Sequence, residues 1–223
     1  MILSVLIPVY NEEDSVRQLV DRVLSVPVDL EIVMVDDCSK DRTWEVLSTI
    51  DDPRVRVFRH EVNQGKGAAV CTALAHATGD LVIIQDADLE YDPSDYPKLL
   101  GPVLAGAAEI VYGVRDLSQQ TTLSRLGNRF LTVATNVLYG SRISDMETCY
   151  KLMPRQVMLD LGLKPSRFQI EPEITAKLLL RGHRIHEVPI WYNPRSGKQK
   201  KLSPWKDGLP ALGTLVKYRL GLS

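Results

Sequence analysis

The sequence lacks the features that mark disulfide-rich, membrane-spanning and nucleic-acid-binding proteins. It has three cysteines, Cys38, Cys71 and Cys149, which are widely spaced and form no CxxC pair. We therefore expect reduced thiols, with neither a disulfide framework nor a zinc site. A net charge of −1 at pH 7 supplies no positive field that would attract nucleic acid. No apolar run approaches the roughly 20 residues needed to span a bilayer.

What the sequence does contain is typical of one globular domain. Its 223 residues are 44% hydrophobic and 25% charged, which allows a sizeable core. No repeat or domain boundary is evident, so we expect a single domain over residues 1–223. The first apolar run is interrupted by Pro8 and followed by acidic residues, which favours a strand over a signal peptide. The sequence thus indicates a cytoplasmic protein, either soluble or peripheral on the cytoplasmic face of a membrane.

Short apolar runs alternate with amphipathic segments along the first half of the chain. Residues 2–9, 30–35, 55–58 and 81–84 are the predicted strands, and a Gly-rich turn at residues 63–67 leads into an Ala-rich helix. Asn11 is placed to cap the first helix. This β–α alternation predicts an α/β fold with a mostly parallel, Rossmann-like sheet and helices on both faces.

Three carboxylates stand at alternate positions after the fourth predicted strand. Because alternate side chains of an extended backbone share a face, Asp86, Asp88 and Glu90 can converge at the strand end. A divalent cation would remove their mutual repulsion, and hard oxygen ligands suit Mg²⁺ or Mn²⁺. The alternative is a solvated acidic turn.

Polar residues also follow the other predicted strands. In a parallel sheet these strand ends meet at one edge, where open α/β folds bind ligands. The combination favours a nucleotide-type ligand at that edge. The residues concerned are Tyr10, Asn11, Glu12, Asp36, Asp37 and residues 63–67.

The second half of the chain carries several further features. Residues 121–139 predict a helix with roughly periodic apolar positions, and the first turn of a helix from residue 170 holds Glu171 and Glu173, where the helix dipole favours anions. Residues 193–207 are rich in lysine and arginine. They form either a mobile surface loop or a lid whose cations close over phosphates. An amphipathic helix over residues 209–220 would pack on the domain or lie on a membrane surface.

Four ordered motifs resemble a known family. SVLIPVYNEEDSV, EIVMVDDCSKDRT, NQGKGAAV and QDADLEYDP are similar to the inverting glycosyltransferases of family 2, in the branch of dolichol-phosphate mannose synthase and bacterial polyprenyl-phosphate glycosyltransferases. The resemblance implies a single-domain α/β/α sandwich of the GT-A type. It also implies a GDP-mannose or UDP-hexose donor, Mg²⁺ or Mn²⁺, a polyprenyl-phosphate acceptor at a membrane surface, and a membrane anchor subunit as a further partner.

The resemblance assigns roles to individual positions. The residues that match the nucleotide-sugar site are Pro8, Tyr10, Glu12, Val35, Asp37, Lys66, Asp86, Ala87 and Asp88. Asp86 and Asp88 match the DxD motif, with Asp88 as metal ligand, whereas Glu90 falls where relatives often carry Gln. The basic positions that match phosphate or acceptor sites are Arg115, Arg125, Arg195 and Lys201, the first two also being candidates for catalysis.

Two questions of mechanism stay open at the level of sequence. A lipid phosphate acceptor is already anionic, whereas a sugar hydroxyl needs a carboxylate base, for which Asp145 is the candidate. Asp145 could equally be a helix or turn cap. The alternatives to a polyprenyl-phosphate transferase are a transferase that builds a polysaccharide or glycoconjugate, and a catalytically silent subunit that binds nucleotide sugars as a scaffold.

Overall fold

The computed structural model describes residues 1–164, 170–195 and 204–222, with side chains from residue 208 onward in the last range. The strands are β1 (Leu3–Val9), β2 (Leu30–Asp36), β3 (Val55–Arg59), β4 (Leu81–Ile84), β5 (Ile110–Arg115), β6 (Lys151–Pro154) and β7 (Ile185–Ile190). The α-helices are α1 (Val16–Leu24), α2 (Thr43–Ser48), α3 (Lys66–His76), α4 (Tyr96–Leu104), α5 (Thr122–Tyr139), α6 (Arg155–Asp160), α7 (Ile170–Leu180) and α8 (Pro204–Arg219).

The seven strands form one sheet in the order β3-β2-β1-β4-β6-β5-β7. The pairs β1–β2, β1–β4, β2–β3 and β5–β7 are parallel. Strand β6 runs antiparallel to both of its neighbours, β4 and β5. The predicted α/β fold with a mostly parallel sheet is confirmed, and the inverted β6 is an addition that the alternation of elements did not predict.

Two hydrophobic cores cover the two faces of the sheet. On one face the alternate residues Leu3, Val5 and Ile7 of β1 pack with α1 and α4. On the other face Leu6 of β1 and Val33 of β2 pack with α3, α6 and α7. Because successive side chains of a strand point to opposite faces, a continuous apolar run is what a sheet buried on both sides requires. Helices therefore cover both faces of the sheet, as predicted.

The start of α1 differs from the prediction. The helix begins at Val16 with Ser15 at its N-terminal boundary, and no side chain caps it. Asn11 instead has a positive φ of 52° and accepts a hydrogen bond from the Lys40 amide through its side chain at 2.8 Å. Asparagine tolerates this left-handed conformation better than most residues. Asn11 therefore ties the loop after β1 to the loop after β2.

A third apolar cluster joins α5, α7 and α8. Leu131 of α5, Ala176 of α7 and Leu215 of α8 are buried together in it, and Tyr139 Oη donates to the Leu215 carbonyl at 2.6 Å. Helix α8 therefore packs on the domain. Among the described helices, none is both long and apolar enough to cross a membrane.

Most of the apolar side chains that predicted helix α5 are exposed to solvent. Its buried residues are Leu131, Thr132 and Thr135, whereas five apolar side chains on the opposite side are 51–78% exposed. We call these five the α5 stripe. They are Leu123, Leu126, Phe130, Val133 and Val137. The periodicity thus identified the helix correctly but did not identify its buried face.

Candidate active site

The carboxyl ends of β1, β2 and β4 meet at one edge of the sheet because the three strands are parallel neighbours. The three non-glycine residues with positive φ among the described residues, Asn11, Cys38 and Leu89, all lie in the loops that follow these strands. Such conformations cost free energy and gather where function constrains the backbone. This edge is the candidate site.

Asp37 organises the loop between β3 and α3. Its Oδ1 accepts hydrogen bonds from the amide of Gln64 at 2.9 Å and lies 2.7 Å from Nδ1 of His60, and its Oδ2 accepts from the amide of Gly65 at 2.7 Å. Asp37 is 3% exposed. It thereby fixes the first turn of α3, which begins with Lys66.

Lys66 links two acidic residues from distant parts of the chain. Its Nζ lies 2.6 Å from Oδ1 of Asp86 and 2.5 Å from Oε1 of Glu171, in the first turn of α7. Their charges hold the pKa of Lys66 well above its usual value although burial opposes this. The predicted donor residues Lys66 and Asp86 are therefore in contact, and Glu171 joins them.

Asp88 lies among other carboxylates at the end of β4. Burial, together with repulsion from Asp86 and Glu90, raises the pKa of Asp88 to about 7, although Arg195 acts in the opposite direction. Its Oδ1 accepts a hydrogen bond from the Glu90 amide at 3.2 Å. Such crowding of carboxylates fits a divalent cation bound by one or two carboxylates and completed by substrate phosphates.

Glu90 is committed to other contacts. Its Oε1 accepts from the Arg195 amide at 3.0 Å and its Oε2 accepts from Oη of Tyr192 at 2.9 Å. In the part of the chain that the structure describes, no three aspartate, glutamate, histidine or cysteine side chains are grouped to hold a metal ion. The residues present thus fit a metal on Asp88 and Asp86 better than a preformed cage of three carboxylates.

The first residues of the basic loop lie directly over this acidic edge. Arg195 donates to both carboxylate oxygens of Glu12, at 3.1 and 2.6 Å, and its Nε donates to the Asp88 carbonyl at 3.1 Å. Ser15 Oγ lies 2.6 Å from Glu12 Oε2 and 2.8 Å from the Ala87 carbonyl oxygen, so its single hydroxyl proton is shared between two acceptors. The loops after β1 and β4 and the start of the basic loop therefore form one hydrogen-bonded unit.

Arg115 and Asp145 form a buried, two-point ion pair. Arg115 Nε lies 2.7 Å from Oδ2 of Asp145 and its Nη2 lies 2.8 Å from Oδ1. The guanidinium also stacks on the Tyr192 ring at 5.1 Å. Both oxygens of Asp145 are engaged in this way, so Asp145 fits a clamp for Arg115 better than a general base.

The remaining predicted site residues are placed as follows. Pro8 and Val35 are partners in the ladder between β1 and β2, Val35 being fully buried. Tyr10 lies partly buried in the loop after β1, and Arg125 is exposed near the start of α5. Lys201 lies outside the described residues, as does much of the basic loop 193–207.

Two acidic residues near this edge carried no functional assignment from sequence. Glu171 contacts Lys66, as described above, and Glu147 lies in the loop that precedes β6. Glu171 was explained by the helix dipole alone, since nothing in its spacing connects it with Lys66. The one local signal for Glu147 was its alternation with Asp145, which matches the alternation of Asp86 and Asp88.

Comparison with known proteins decides the family. Residues 4–162 match the family described as Glycosyl transferase family 2. The chain belongs to that family. The resemblance carried by the four sequence motifs is thereby confirmed, and with it the prediction of a family 2 glycosyltransferase.

Curated relatives of this family 2 glycosyltransferase include proteins named for lipid-phosphate acceptors. The undecaprenyl-phosphate 4-deoxy-4-formamido-L-arabinose transferase of Pseudomonas fluorescens is 31% identical over 212 residues, which cover 92% of this chain and 61% of that protein. The dolichol-phosphate mannosyltransferase of Pyrococcus furiosus is 29% identical over 214 residues, which cover 91% and 59%. A low-salt glycan biosynthesis hexosyltransferase of Haloferax volcanii is 29% identical, with 92% and 51% covered. The chain thus spans about half to three fifths of their length.

Solved structures agree on the fold. Glucosyl-3-phosphoglycerate synthase from Mycobacterium tuberculosis, in complex with Mn²⁺ and UDP-glucose, superimposes with a TM-score of 0.77 at 21% identity, over 98% of this chain and 79% of that one. The same synthase in complex with Mg²⁺ and UDP has a TM-score of 0.73. At this identity the likeness concerns the fold, and it confirms the predicted GT-A type.

Proposed function

We propose that the protein is a metal-dependent, inverting transferase that moves one sugar from GDP-mannose or a UDP-hexose to a polyprenyl phosphate. The observation that carries this proposal is the edge where the crowded carboxylates of Asp86 and Asp88 face the cations Lys66 and Arg195. A metal-bound diphosphate requires carboxylates that hold the metal ion and, close to them, basic side chains that contact the phosphates. The names of the relatives from Pseudomonas and Pyrococcus supply the acceptor class.

Asp88, with Asp86 beside it, would hold Mg²⁺ or Mn²⁺. When bound, the ion neutralises charge on the leaving diphosphate. The raised pKa of Asp88 supports this role, because a cation restores the ionised form that burial and like charges disfavour. Glu12, Asp37 and the backbone around Pro8, Tyr10, Val35 and Ala87 surround the same edge, where the nucleoside would lie.

Arg115 and Arg195 would stabilise the phosphates of the donor and the acceptor. Each guanidinium is already oriented by two carboxylate contacts, Arg115 by Asp145 and Arg195 by Glu12. A hydrogen-bonding guanidinium that is held in place before the reaction does not have to reorient as charge develops on the phosphates. Such preorganisation is the main source of electrostatic catalysis. Lys201 and Arg125 are proposed as further contacts to the acceptor phosphate.

A phosphate acceptor agrees with the state of Asp145. A lipid phosphate is anionic near neutral pH and needs no proton removed, whereas a sugar hydroxyl needs a base within hydrogen-bond reach. Both oxygens of Asp145 already accept from Arg115. The clamp therefore favours the phosphate acceptor over a hydroxyl acceptor that would use Asp145 as base.

The α5 stripe supports peripheral binding to a membrane, where a polyprenyl phosphate resides. Five apolar side chains are exposed along one side of α5. The helix has no acidic residue, and its Arg125 and Arg129 are exposed. An apolar stripe flanked by cations is the pattern of a helix that lies on an anionic lipid surface. A membrane anchor subunit is proposed only as a further partner.

Transfer assays test the proposed function. Purified protein is incubated with Mn²⁺, a panel of GDP- and UDP-sugars, and either polyprenyl phosphate or oligosaccharides. We expect one sugar to be transferred to the lipid phosphate with inversion at C1, and the product to vanish with EDTA. Transfer to sugar hydroxyls alone would refute the lipid acceptor. Weak nucleotide binding that is independent of metal, together with no donor hydrolysis, would instead identify a scaffold subunit.

Sedimentation with lipid vesicles tests the membrane surface. Phe130→Asp places a charge within the α5 stripe, and we expect weaker binding to vesicles that contain anionic phospholipid, by roughly tenfold for one lost aromatic anchor. Leu104→Asp is the matched control, since Leu104 on α4 is 65% exposed and lies outside the stripe. Equal vesicle binding by both variants would exclude the α5 stripe as the membrane contact.

A further inference from the structure

Tyr192, in the loop after β7, is buried and contacts two parts of the candidate site. It is 8% exposed. Its ring lies against the guanidinium of Arg115, with 5.1 Å between the ring centre and Cζ, and its Oη donates to Oε2 of Glu90 at 2.9 Å. Burial and the charge of Glu90 raise the pKa of Tyr192, so the phenol keeps its proton at neutral pH. Tyr192 therefore joins the acidic end of β4 to the arginine that is proposed to bind phosphate.

The hydroxyl of Tyr192 is also the end of a chain of hydrogen bonds that begins on helix α5. Asn128 Nδ2 donates to Gln120 Oε1 at 2.9 Å, and Gln120 Nε2 donates to Tyr192 Oη at 3.1 Å. The direction of the chain is set by Glu90, because an ionised carboxylate only accepts, whereas a hydroxyl or an amide group can donate and accept at once. Hydrogen bonds that run in one direction polarise and strengthen one another. The chain thus connects α5 to the donor edge.

The first half of α5 has no buried face. In the described structure none of residues 122–130 is buried, and burial in this helix begins at Leu131. Packing on α7 and α8 therefore fixes the second half, whereas the first half, with Arg125 and Arg129 exposed, lies outside that cluster. Segments with few buried apolar contacts are among the least stable parts of a protein. Asn128 lies in this first half, so the chain of hydrogen bonds ties it to the donor edge.

We propose that Tyr192 is a positioning residue that holds the first half of α5, with its exposed arginines, against the donor edge and thereby sets how the acceptor phosphate is bound. This inference rests on the proposed function, in which Arg125 contacts that phosphate. The nucleoside would lie at the ends of β1 and β2, whereas the contacts of Tyr192 described above join it to Glu90, to Arg115 and to the start of α5. Loss of the hydroxyl should therefore impair use of the acceptor and leave nucleotide binding unchanged.

Two variants break the chain at different points. Tyr192→Phe keeps the ring against Arg115 and removes the hydroxyl, whereas Gln120→Met keeps the bond from Tyr192 to Glu90 and removes the link to α5. Sugar transfer is measured at increasing concentrations of polyprenyl phosphate, and isothermal titration with Mn²⁺ gives the Kd of UDP and of GDP. We expect both variants to raise the KM for polyprenyl phosphate by about fivefold to tenfold, the effect of one lost hydrogen bond, with the Kd of the nucleotide unchanged.

Tyr218→Phe is the matched control. Tyr218 is also 8% exposed, and its Oη donates to Oε1 of Glu173 at 2.8 Å, so this variant loses a comparable hydroxyl outside the chain. We expect its KM and Kd to equal those of wild type. Thermal melts report whether each variant is folded. Should Tyr192→Phe fail to fold, Gln120→Met, at a half-buried position, provides the test.

Three results would overturn the inference. Weaker nucleotide binding in parallel with a higher KM would assign Tyr192 to the donor edge as a whole, and a wild-type KM in both variants would assign the chain no role in acceptor binding. A raised KM in only one of the two variants would show that a local contact matters and the chain does not. In all three cases wild-type protein still forms the lipid-linked product; its failure to do so would refute the proposed function and this inference with it.

Discussion

The β4 loop, residues 85–92, and the β6 loop, residues 141–150, contain the same short pattern with different consequences. Each has two acids at alternate positions, Asp86 and Asp88 in one and Asp145 and Glu147 in the other. In each, the first acid is paired with a basic side chain, Lys66 or Arg115. In each, the pKa of the second acid is raised to about 7.

The two loops differ in where the opposing charge comes from. Burial is the largest cause of the raised pKa in both loops, and the repulsion that adds to it at Asp88 comes from acids of its own loop, Asp86 and Glu90. Glu147 is repelled first by Glu171 of α7, which only the fold brings near. The comparison teaches that the charge repulsion at Asp88 can be read from spacing along the chain, whereas the charge repulsion at Glu147 becomes visible only in the folded structure.

Removal of the Asp88 charge is expected to have the largest effect. Asp88→Asn keeps the shape of the side chain but eliminates the proposed metal contact, and we expect transfer to fall by about 10³-fold or more, because the metal provides several kcal/mol of charge stabilisation. The fold should survive, since burial of this charge is unfavourable. Sugar transfer and circular dichroism measure the two quantities.

The control for this change is Asp21→Asn on the exposed surface of α1, which should leave transfer unchanged. Full activity of Asp88→Asn would remove the distinction between the two loops, because neither would then hold a metal.

Breaking the clamp in the β6 loop is expected to affect stability before chemistry. Asp145→Asn leaves the buried guanidinium of Arg115 without its counter-charge, and loss of one partner of a buried ion pair costs about 3–5 kcal/mol. Urea unfolding measures this cost. The double variant Arg115→Gln with Asp145→Asn should regain part of the stability and none of the transfer activity. A stable Asp145→Asn protein with normal turnover would show that the clamp is dispensable.

The smallest effect is expected for Glu147→Gln, which should change how the free energy of unfolding depends on pH. The pKa of Glu147 rises from the usual 4.5 to about 7 on folding, so the folded state holds this proton more tightly than the unfolded state. The contribution to stability is complete below pH 4.5 and is lost as the pH rises through about 7.

Wild-type protein should therefore lose stability relative to Glu147→Gln across that interval, as followed by thermal melts in EDTA. Glu45→Gln, at an exposed position of α2, is the control and should run parallel to wild type. If the stability of Glu147→Gln also changes with pH in the same way as that of wild type, the pKa of Glu147 is not raised by folding. The two loops would then differ in the state of their second acid.

Much of the fold could be predicted because local patterns report it. The apolar run 81–84 followed by Asp86 and Asp88 marked a buried strand and a charged edge, and both are present. Prediction failed where partners are remote in sequence. The α5 stripe has the period of a helix, but only packing on α7 and α8 decides that Leu131 is buried and Phe130 exposed.

Local residue patterns predict the order of strands and helices along the chain, the membership of family 2 and the acidic end of β4. These depend on neighbours within a few residues, whose spacing sets side-chain direction and charge density. Three features follow only from the folded arrangement: Arg115 engages both carboxylate oxygens of Asp145, Lys66 joins Asp86 to Glu171, and Glu147 Oε1 has no hydrogen-bond partner among the described residues. Each of these features requires residues that are distant in sequence to come into proximity in the fold. Burial there lowers the effective dielectric constant and strengthens their charge interactions, which water would weaken in an extended chain.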